Sequence, residues 1–89
     1  MTSIFTTLAA YGFQSTARNS MMWGIGSLVW GHIATVTYTG DDTYIVTIHQ
    51  WLYDQDGDPI RDSKETRTLH GALALAWIFN EMPRSFWRR

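Results

Sequence analysis

Hydrophobic and polar positions alternate most regularly in the middle of the chain. The stretch from Leu28 to Tyr53 is rich in β-branched and aromatic residues and is interrupted once, by the Thr-Gly-Asp-Asp sequence of residues 39–42. Such a pattern predicts a β-hairpin. A second turn signal, Asp56-Gly57, precedes a polar run from Ile60 to Thr68, whose charged residues suit the exposed edge of a sheet. The pattern therefore predicts three antiparallel strands.

The stretches on either side of these strands carry helix signals. Ser3 can cap a short helix that Gly12 ends, and a second short helix between Ser15 and Trp23 is possible. At the other end of the chain, Thr68 can cap a helix that Pro83 closes, over residues 69–82. No linker divides the 89 residues. We therefore expect one α+β domain with an N-terminal helical segment, a three-stranded antiparallel sheet and a C-terminal helix.

The turn at residues 39–42 predicts the register of the hairpin. A type II′ turn with Gly40 as its first central residue places Trp30 opposite Trp51. The same register places His32 opposite His49. Both faces of the sheet are then apolar, although only one long helix is available to cover them. Either the N-terminal segment covers the second face, or that face is partly left for a partner.

The C-terminal helix is apolar around its whole circumference, because residues 72–79 include no polar side chain. One side of this helix must pack on the sheet. The rest meets the N-terminal segment, a second copy of the chain or another protein. Contact with a second copy predicts a homodimer whose contacts come from Leu73, Leu75, Trp77 and Ile78.

Composition narrows the class of partner. Seven basic residues stand against eight acidic ones, a net charge of -1, which favours a protein partner over direct nucleic-acid binding. The chain has no cysteine, so a reducing compartment such as the bacterial cytoplasm is expected. No apolar run is long enough to span a bilayer, and the N-terminus does not resemble a secretory signal, so no membrane association is expected.

Each apparent catalytic or metal-binding motif in the sequence is incomplete. Residues 54–65 place carboxylates at several positions of a calcium loop, but Pro59 stands where glycine makes the sharp turn. His32 and His49 are read as structural, as two ligands of a metal site, or as a pH-sensitive pair; the first interpretation is favoured because a third ligand is missing from the pattern. No nucleophile elbow and no phosphate-binding loop is found. We expect no enzyme activity, no cofactor and no metal.

Five tryptophans in so short a chain are more than a small core is expected to absorb. Tryptophan and arginine are enriched at the centres of protein interfaces, and the C-terminal tail combines three arginines with two aromatics. The sequence thus predicts a protein-binding module. The alternative is a small nucleic-acid-associated protein that uses the tail. The candidate partner-binding residues are Trp30, Trp51, Arg84, Phe86, Trp87, Arg88 and Arg89.

Three segments also carry a resemblance. The hairpin TVTYTGDDTYIVTIHQWLY, the polar strand RDSKETRT and the helix HGALALAWIFNEM resemble the small α+β proteins of phages and mobile elements, including several anti-CRISPR proteins. This resemblance is architectural and brings no functional residues with it. It implies a non-enzymatic inhibitor that occupies a surface on a host defence complex, which can be a nucleoprotein.

Overall fold

A computed structural model describes residues 3–83 and residue 86. Its elements, in chain order, are α1 (Ile4–Ala10), β1 (Gln14–Ala17), β2 (Ser20–Gly26), β3 (Trp30–Gly40), β4 (Thr43–Tyr53), β5 (Pro59–His70) and α2 (Gly71–Glu81). The strands form one sheet in the order β1-β2-β3-β4-β5, and every neighbouring pair is antiparallel. The predicted helix at each end of the chain is confirmed. The prediction of a three-stranded sheet is wrong, because the sheet has five strands.

The two additional strands lie where a second short helix was considered. In β2, Met21, Trp23 and Ile25 lie on one face of the sheet and alternate with Met22 and Gly24 on the other. Met21 is buried and Trp23 packs against the core. Since side chains alternate along a strand, this period of two places Met21 and Trp23 against the core, and Gly24 and Gly26 disfavour a helix.

The first helix begins and ends as predicted. The Ser3 hydroxyl accepts a hydrogen bond of 3.1 Å from the Phe5 amide, which satisfies one donor at the start of α1. Gly12 follows the helix with a φ of 100°, a conformation that favours glycine.

The predicted hairpin register is wrong by one residue. The central turn residues are Asp41 and Asp42, with φ values of 53° and 56°, and Gly40 lies in a bulge before them. As a result, Trp30 pairs with Leu52 and Trp51 pairs with Gly31. A shift of one residue moves every partner to the opposite face. Trp30 and Trp51 therefore lie on opposite faces of the sheet.

The same shift separates the two histidines that were expected to face each other. His32 pairs with Gln50, whereas His49 pairs with Ile33 on one side and Lys64 on the other. The two imidazoles lie on opposite faces, so the predicted cross-strand pair does not exist.

The last strand lies at an edge of the sheet, as predicted, and continues directly into the second helix. Thr68, the predicted helix cap, pairs with Ile45 in the sheet. The residue before the helix is His70, which makes no side-chain cap. Instead, the Gly71 amide donates a hydrogen bond of 3.0 Å to the Asp42 carbonyl, so the turn of the β3–β4 hairpin holds the start of α2.

Both helices pack on one face of the sheet. A single cluster of buried residues joins them to the strands: Ile4, Leu8, Phe13, Met21, Ala34, Val36, Tyr44, Val46, Ile48, Ala74, Trp77, Ile78, Met82 and Phe86. The second face, here called the open face, includes Ile33, Thr35, Thr47, His49 and Trp51, and within the described residues no helix covers it. The expectation that the N-terminal segment would cover this face is therefore wrong.

Candidate functional site

Large apolar side chains are exposed mainly at one end of the sheet. The end lies opposite the Asp41-Asp42 turn, and its side chains come from the β2–β3 turn and from the adjoining ends of four strands. Leu28 is 92% exposed and Trp30 is 47% exposed. We call this surface the apolar tip; it comprises Ile25, Leu28, Val29, Trp30, Leu52 and Ile60.

The tip is exposed because the sheet is longer than the helix that covers it. Helix α2 begins beside Asp42 at the hairpin turn and has 11 residues, which at 1.5 Å per residue is about 16 Å. Strand β4 also has 11 residues but extends about 36 Å. The helix therefore covers the half of the sheet near the turn and ends before the tip.

Hydrogen bonds hold the β2–β3 turn of the tip beside β3 and β4. The Tyr53 amide of β4 donates to the Val29 carbonyl at 2.7 Å, and the Ser27 amide donates to the Trp30 carbonyl at 2.6 Å. The Val29 amide donates to the Ser27 hydroxyl at 3.3 Å. These bonds hold Leu28 and Val29 in a defined turn beside β4, so the exposed side chains belong to a structured surface.

Trp51 is held against the back of the tip on the open face. Its indole lies over Gly31, where a Cβ would stand 2.0 Å from the ring. Its Nε1 donates a hydrogen bond of 2.9 Å to the Ser27 carbonyl. Gly26 pairs with Gly31, and a Cβ there would stand 2.4 Å from the Gly31 Cα. The absence of a side chain at Gly31 thus allows the indole to contact the strand, and the absence of one at Gly26 allows β2 to approach Gly31 closely.

A polar network lies next to Trp51 on the open face. Asp62 accepts hydrogen bonds from His49 Nε2 at 3.0 Å and from the Tyr53 hydroxyl at 2.8 Å. The hydrogen bond from His49, followed by that from Tyr53, lowers the pKa of Asp62. The bond to Asp62 raises the pKa of Tyr53. Asp62 is therefore ionised near neutral pH and orients the imidazole.

The contacts of His49 indicate what this network does. Within the described residues, His49 contacts Asp62 and the Trp51 ring, whose centroid is 4.9 Å away, and no hydroxyl group hydrogen-bonds the imidazole. A histidine that activates a hydroxyl or thiol nucleophile as its general base lies within hydrogen-bond reach of that group. The geometry supports a structural role, in which Asp62 joins β5 to β4 and fixes the ring beside Trp51.

His32 lies on the helix-covered face, between the core and the tip. The side chain is buried opposite Gln50, and its ring meets Trp23 edge to face at 6.1 Å. Burial lowers the pKa of His32, so the imidazole is neutral near pH 7. Its Nε2 is buried without a hydrogen-bond partner in the described part of the chain. A hollow of about 400 Å³ adjoins it, lined in part by Trp30, Gln50, Leu52 and Arg61.

The structure divides the predicted site residues among different environments. Trp30 is exposed at the tip, and Trp51 is half-buried on the open face. Phe86 is fully buried and packs against Tyr11 and Trp23, with ring centroids 5.1 Å and 5.5 Å away. This position assigns Phe86 to the core and not to a contact arm. Arg84, Trp87, Arg88 and Arg89 lie outside the described residues.

Of the six residues of the tip, only Trp30 is predicted from the sequence as a site residue. Ile25, Leu28, Val29, Leu52 and Ile60 were not among the candidates. A signal was present, because Leu28-Val29 is an apolar pair directly after Gly26-Ser27, where a turn is expected to be polar. Of the four predicted dimer positions on α2, Trp77 and Ile78 are buried in the core, and Leu73 is 59% exposed.

The described residues include no group of three or more histidine, cysteine, aspartate or glutamate side chains placed to hold a metal ion. Over the same residues, neither helix has the length and apolar character needed to cross a membrane.

Comparisons of the chain with protein-family models, with curated proteins and with solved structures found no match.

Proposed function

We propose that this protein is a non-enzymatic binding module that contacts a protein partner through the apolar tip, with Trp30 near the centre of the contact. The observation that carries the proposal is the concentration of six large, exposed apolar side chains at one structured end of the sheet. A concentration of exposed apolar side chains is typical of protein-interaction sites, and tryptophan is enriched where such contacts are strongest.

The charges near the tip agree with a protein partner. Among the described residues, Arg61 is the basic residue that lines the hollow with Trp30 and Leu52, and it donates a hydrogen bond of 3.2 Å to the Gln50 side chain. Nucleic-acid affinity comes largely from many phosphate contacts, which one arginine does not supply. The alternative function, nucleic-acid association through the C-terminal tail, concerns residues outside those described and stays a prediction.

We further propose a setting for this module, namely a phage-type inhibitor that occupies a surface on a host defence complex in the bacterial cytoplasm. Its support is the architectural resemblance of the hairpin, polar strand and helix to such proteins, together with the absence of cysteine. An inhibitor of this kind needs no catalytic group, because it acts by covering a surface that the complex requires.

A pull-down from bacterial lysate with matched variants tests the proposal. The wild-type chain, the tip variant Leu28→Ser/Trp30→Ala and the control Leu73→Ser are compared, since Leu73 is an exposed leucine on α2, away from the tip. We expect the wild type and the control to recover the same protein and the tip variant to lose it. Recovery should persist in about 0.5 M salt, which would weaken phosphate binding steeply.

The affinity of the recovered partner, once purified, completes the test. We expect the tip variant to bind at least about tenfold more weakly, which corresponds to about 1.4 kcal/mol. Equal affinity for the tip variant and the wild type would overturn the proposal.

A further inference from the structure

Strand β2 has an outer edge that the rest of the sheet leaves partly unpaired. β1 pairs with β2 only from Gln14, opposite Met22, to Ala17, opposite Ser20. β2 continues beyond Met22 to Gly26, and Gly24, Ile25 and Gly26 are exposed. This segment has β3 on one side, and no strand of the described residues pairs with it on the other.

The directions of the backbone groups identify Gly24 as the free position. The Tyr38 amide donates to the Asn19 carbonyl at 2.8 Å, and the Ser27 amide donates to the Trp30 carbonyl at 2.6 Å. Backbone groups alternate in direction along an antiparallel strand. Odd-numbered residues of β2 therefore point their N–H and C=O towards β3, and Gly24 points both groups outward.

The chain before β1 does not use these groups. The Gly12 amide donates to the Ala9 carbonyl at 3.1 Å, and the Phe13 amide donates to the Leu8 carbonyl at 3.0 Å. Both amides are thus turned towards α1. Among the described residues, no backbone hydrogen bond reaches Gly24 from outside the sheet.

A groove on the open face adjoins this free edge. Its volume is about 570 Å³. Gly24 contributes no side chain to it, and a Cβ at this position would lie 3.3 Å from Ile33 Cγ1. A side chain placed beside Gly24 from outside the sheet can therefore cross the glycine and reach Ile33. The residues that line the groove on the open face are Gln14, Met22, Gly24, Gly26, Ile33 and Trp51. Gly12, before β1, and Trp23 and Ile25, on the other face of β2, also line it.

We propose that an extended segment of the partner protein adds to the sheet at the β2 edge, where it pairs with Gly24 and places a large apolar side chain in the groove. The unpaired N–H and C=O of Gly24 match the main chain of a β-strand, and the adjacent groove selects one side chain of that strand. This inference rests on the proposed protein-binding function and specifies the form of the partner.

A second copy of the chain does not fit this edge as well as a separate peptide does. β1 occupies the outer side of β2 at Ser20 to Met22. In an antiparallel pairing centred on Gly24, the second copy's residue 22 would face Gly26, and its β1 would occupy the space between them. In a parallel pairing, both copies of β1 would separate the two β2 strands. A peptide brings no such obstruction.

The opposite edge of the sheet differs in chemistry. β5 is exposed along nearly its whole length and includes Arg61, Asp62, Lys64, Glu65 and Arg67. Charged side chains discourage another strand from pairing with an edge. The free part of β2 includes no charged residue, so β2 is the edge at which strand addition is favoured.

The test uses random octapeptides displayed on phage and selected on the immobilised wild-type chain. A selected peptide is then synthesised and titrated into the isotopically labelled protein. We expect amide exchange at Gly24 to slow on binding, because a new hydrogen bond protects the amide. Methylation of alternate peptide nitrogens should weaken binding at least about tenfold, whereas methylation of the intervening nitrogens should have little effect, as strand pairing requires.

A matched pair of variants isolates the contribution of the backbone donor. Gly24→Ala and Gly24→Pro both add a Cβ, but only proline removes the amide, and an outward-facing position on an edge tolerates proline. We expect Gly24→Pro to bind the selected peptide at least about tenfold more weakly than Gly24→Ala does. Amide spectra of both variants without peptide establish that each is folded.

Three outcomes separate this inference from the proposed function. If no peptide is selected, or if selected peptides leave amide exchange at Gly24 unchanged, strand addition at β2 is overturned. If the selected peptides leave amide exchange at Gly24 unchanged and bind the Leu28→Ser/Trp30→Ala variant more weakly, the tip proposal stands without strand addition at β2. If peptides protect Gly24 and bind the Leu28→Ser/Trp30→Ala variant with undiminished affinity, the edge inference stands and the tip proposal fails.

Discussion

At the end of the sheet that carries the Asp41-Asp42 turn, large apolar side chains are buried beneath two helices, whereas at the opposite end they face solvent. The covered end includes Leu8, Val36 and Ile78, none of which is accessible to solvent. The tip includes Leu28 and Trp30, which are of the same chemical kind and are exposed. Helix α2 ends before the tip and leaves these side chains uncovered.

This difference separates the apolar residues that stabilise the fold from those available for binding. Burial removes apolar surface from water and stabilises the folded state, so the residues under the helices contribute most of this free energy. A side chain that remains exposed contributes little to folding. Its apolar surface is removed from water only when a partner covers it.

The largest expected effect is in the covered end. Phe86→Ala should lower the free energy of unfolding by about 3 to 5 kcal/mol, because it leaves a cavity among the aromatic rings of Tyr11, Trp23 and Phe79. Urea unfolding followed by circular dichroism measures the change. A loss below about 1 kcal/mol would show that Phe86 is not part of the folded core, and the contrast between the two ends would weaken.

An intermediate effect is expected where Trp51 meets the sheet behind the tip. Gly31→Ala places a Cβ against the indole and should displace the ring, with loss of its hydrogen bond to Ser27. We expect a loss of about 1 to 3 kcal/mol in the free energy of unfolding, measured by urea denaturation.

Gly24→Ala on the neighbouring strand is the control for this substitution. Its Cβ meets only Ile33 Cγ1, at 3.3 Å, and His32 O, at 3.9 Å, so the loss should be under about 1 kcal/mol. Equal losses for the two variants would indicate that Trp51 is not held against Gly31.

A smaller effect concerns His32, which lies between the two ends. Because burial lowers its pKa in the folded state, the unfolded chain binds a proton more readily than the folded chain does. The stability that depends on neutral His32 is fully present above the unfolded pKa, about 6.5. It is lost as the pH falls from there towards the lower folded pKa.

Urea unfolding of the wild type and of His32→Gln, at pH values from about 7.5 to about 5, checks this dependence. We expect the wild type to lose stability across this range and the variant to lose less. Asp62, whose pKa is lowered from an ordinary value of 3.8, contributes its pH dependence mainly below this range. Parallel pH profiles for the two proteins would show that His32 is not the titrating group.

The helices and the central strands follow from sequence signals that act locally. Ser3 caps α1 as its side chain predicts, and the β-branched run between Leu28 and Tyr53 forms a hairpin. The strand β2 was overlooked although Met21, Trp23 and Ile25 recur with a period of two. Because β2 has only seven residues and includes two glycines, its period of two is a weak predictor of a strand. Pairing with β3 stabilises the strand, and that pairing is not visible in the local sequence.

The hairpin register and the tip depend on features that no local pattern specifies. Gly40-Asp41 and Asp41-Asp42 are both acceptable turn centres, and the choice between them reverses the face of every side chain on one strand. Trp30 is exposed because α2 ends before it reaches this part of β3. The position of a helix relative to a strand is set by tertiary packing, which the local sequence does not specify. For the same reason Phe86 was assigned to a surface although the fold buries it.

The most direct test of the division between folding and binding is to measure unfolding and partner affinity on the same variant, Leu28→Ser/Trp30→Ala. We predict that its free energy of unfolding stays within about 1 kcal/mol of the wild type, because both side chains are exposed. We also predict at least about tenfold weaker binding to the protein recovered in the pull-down. A loss of stability as large as that of Phe86→Ala, with partner affinity unchanged, would contradict the account.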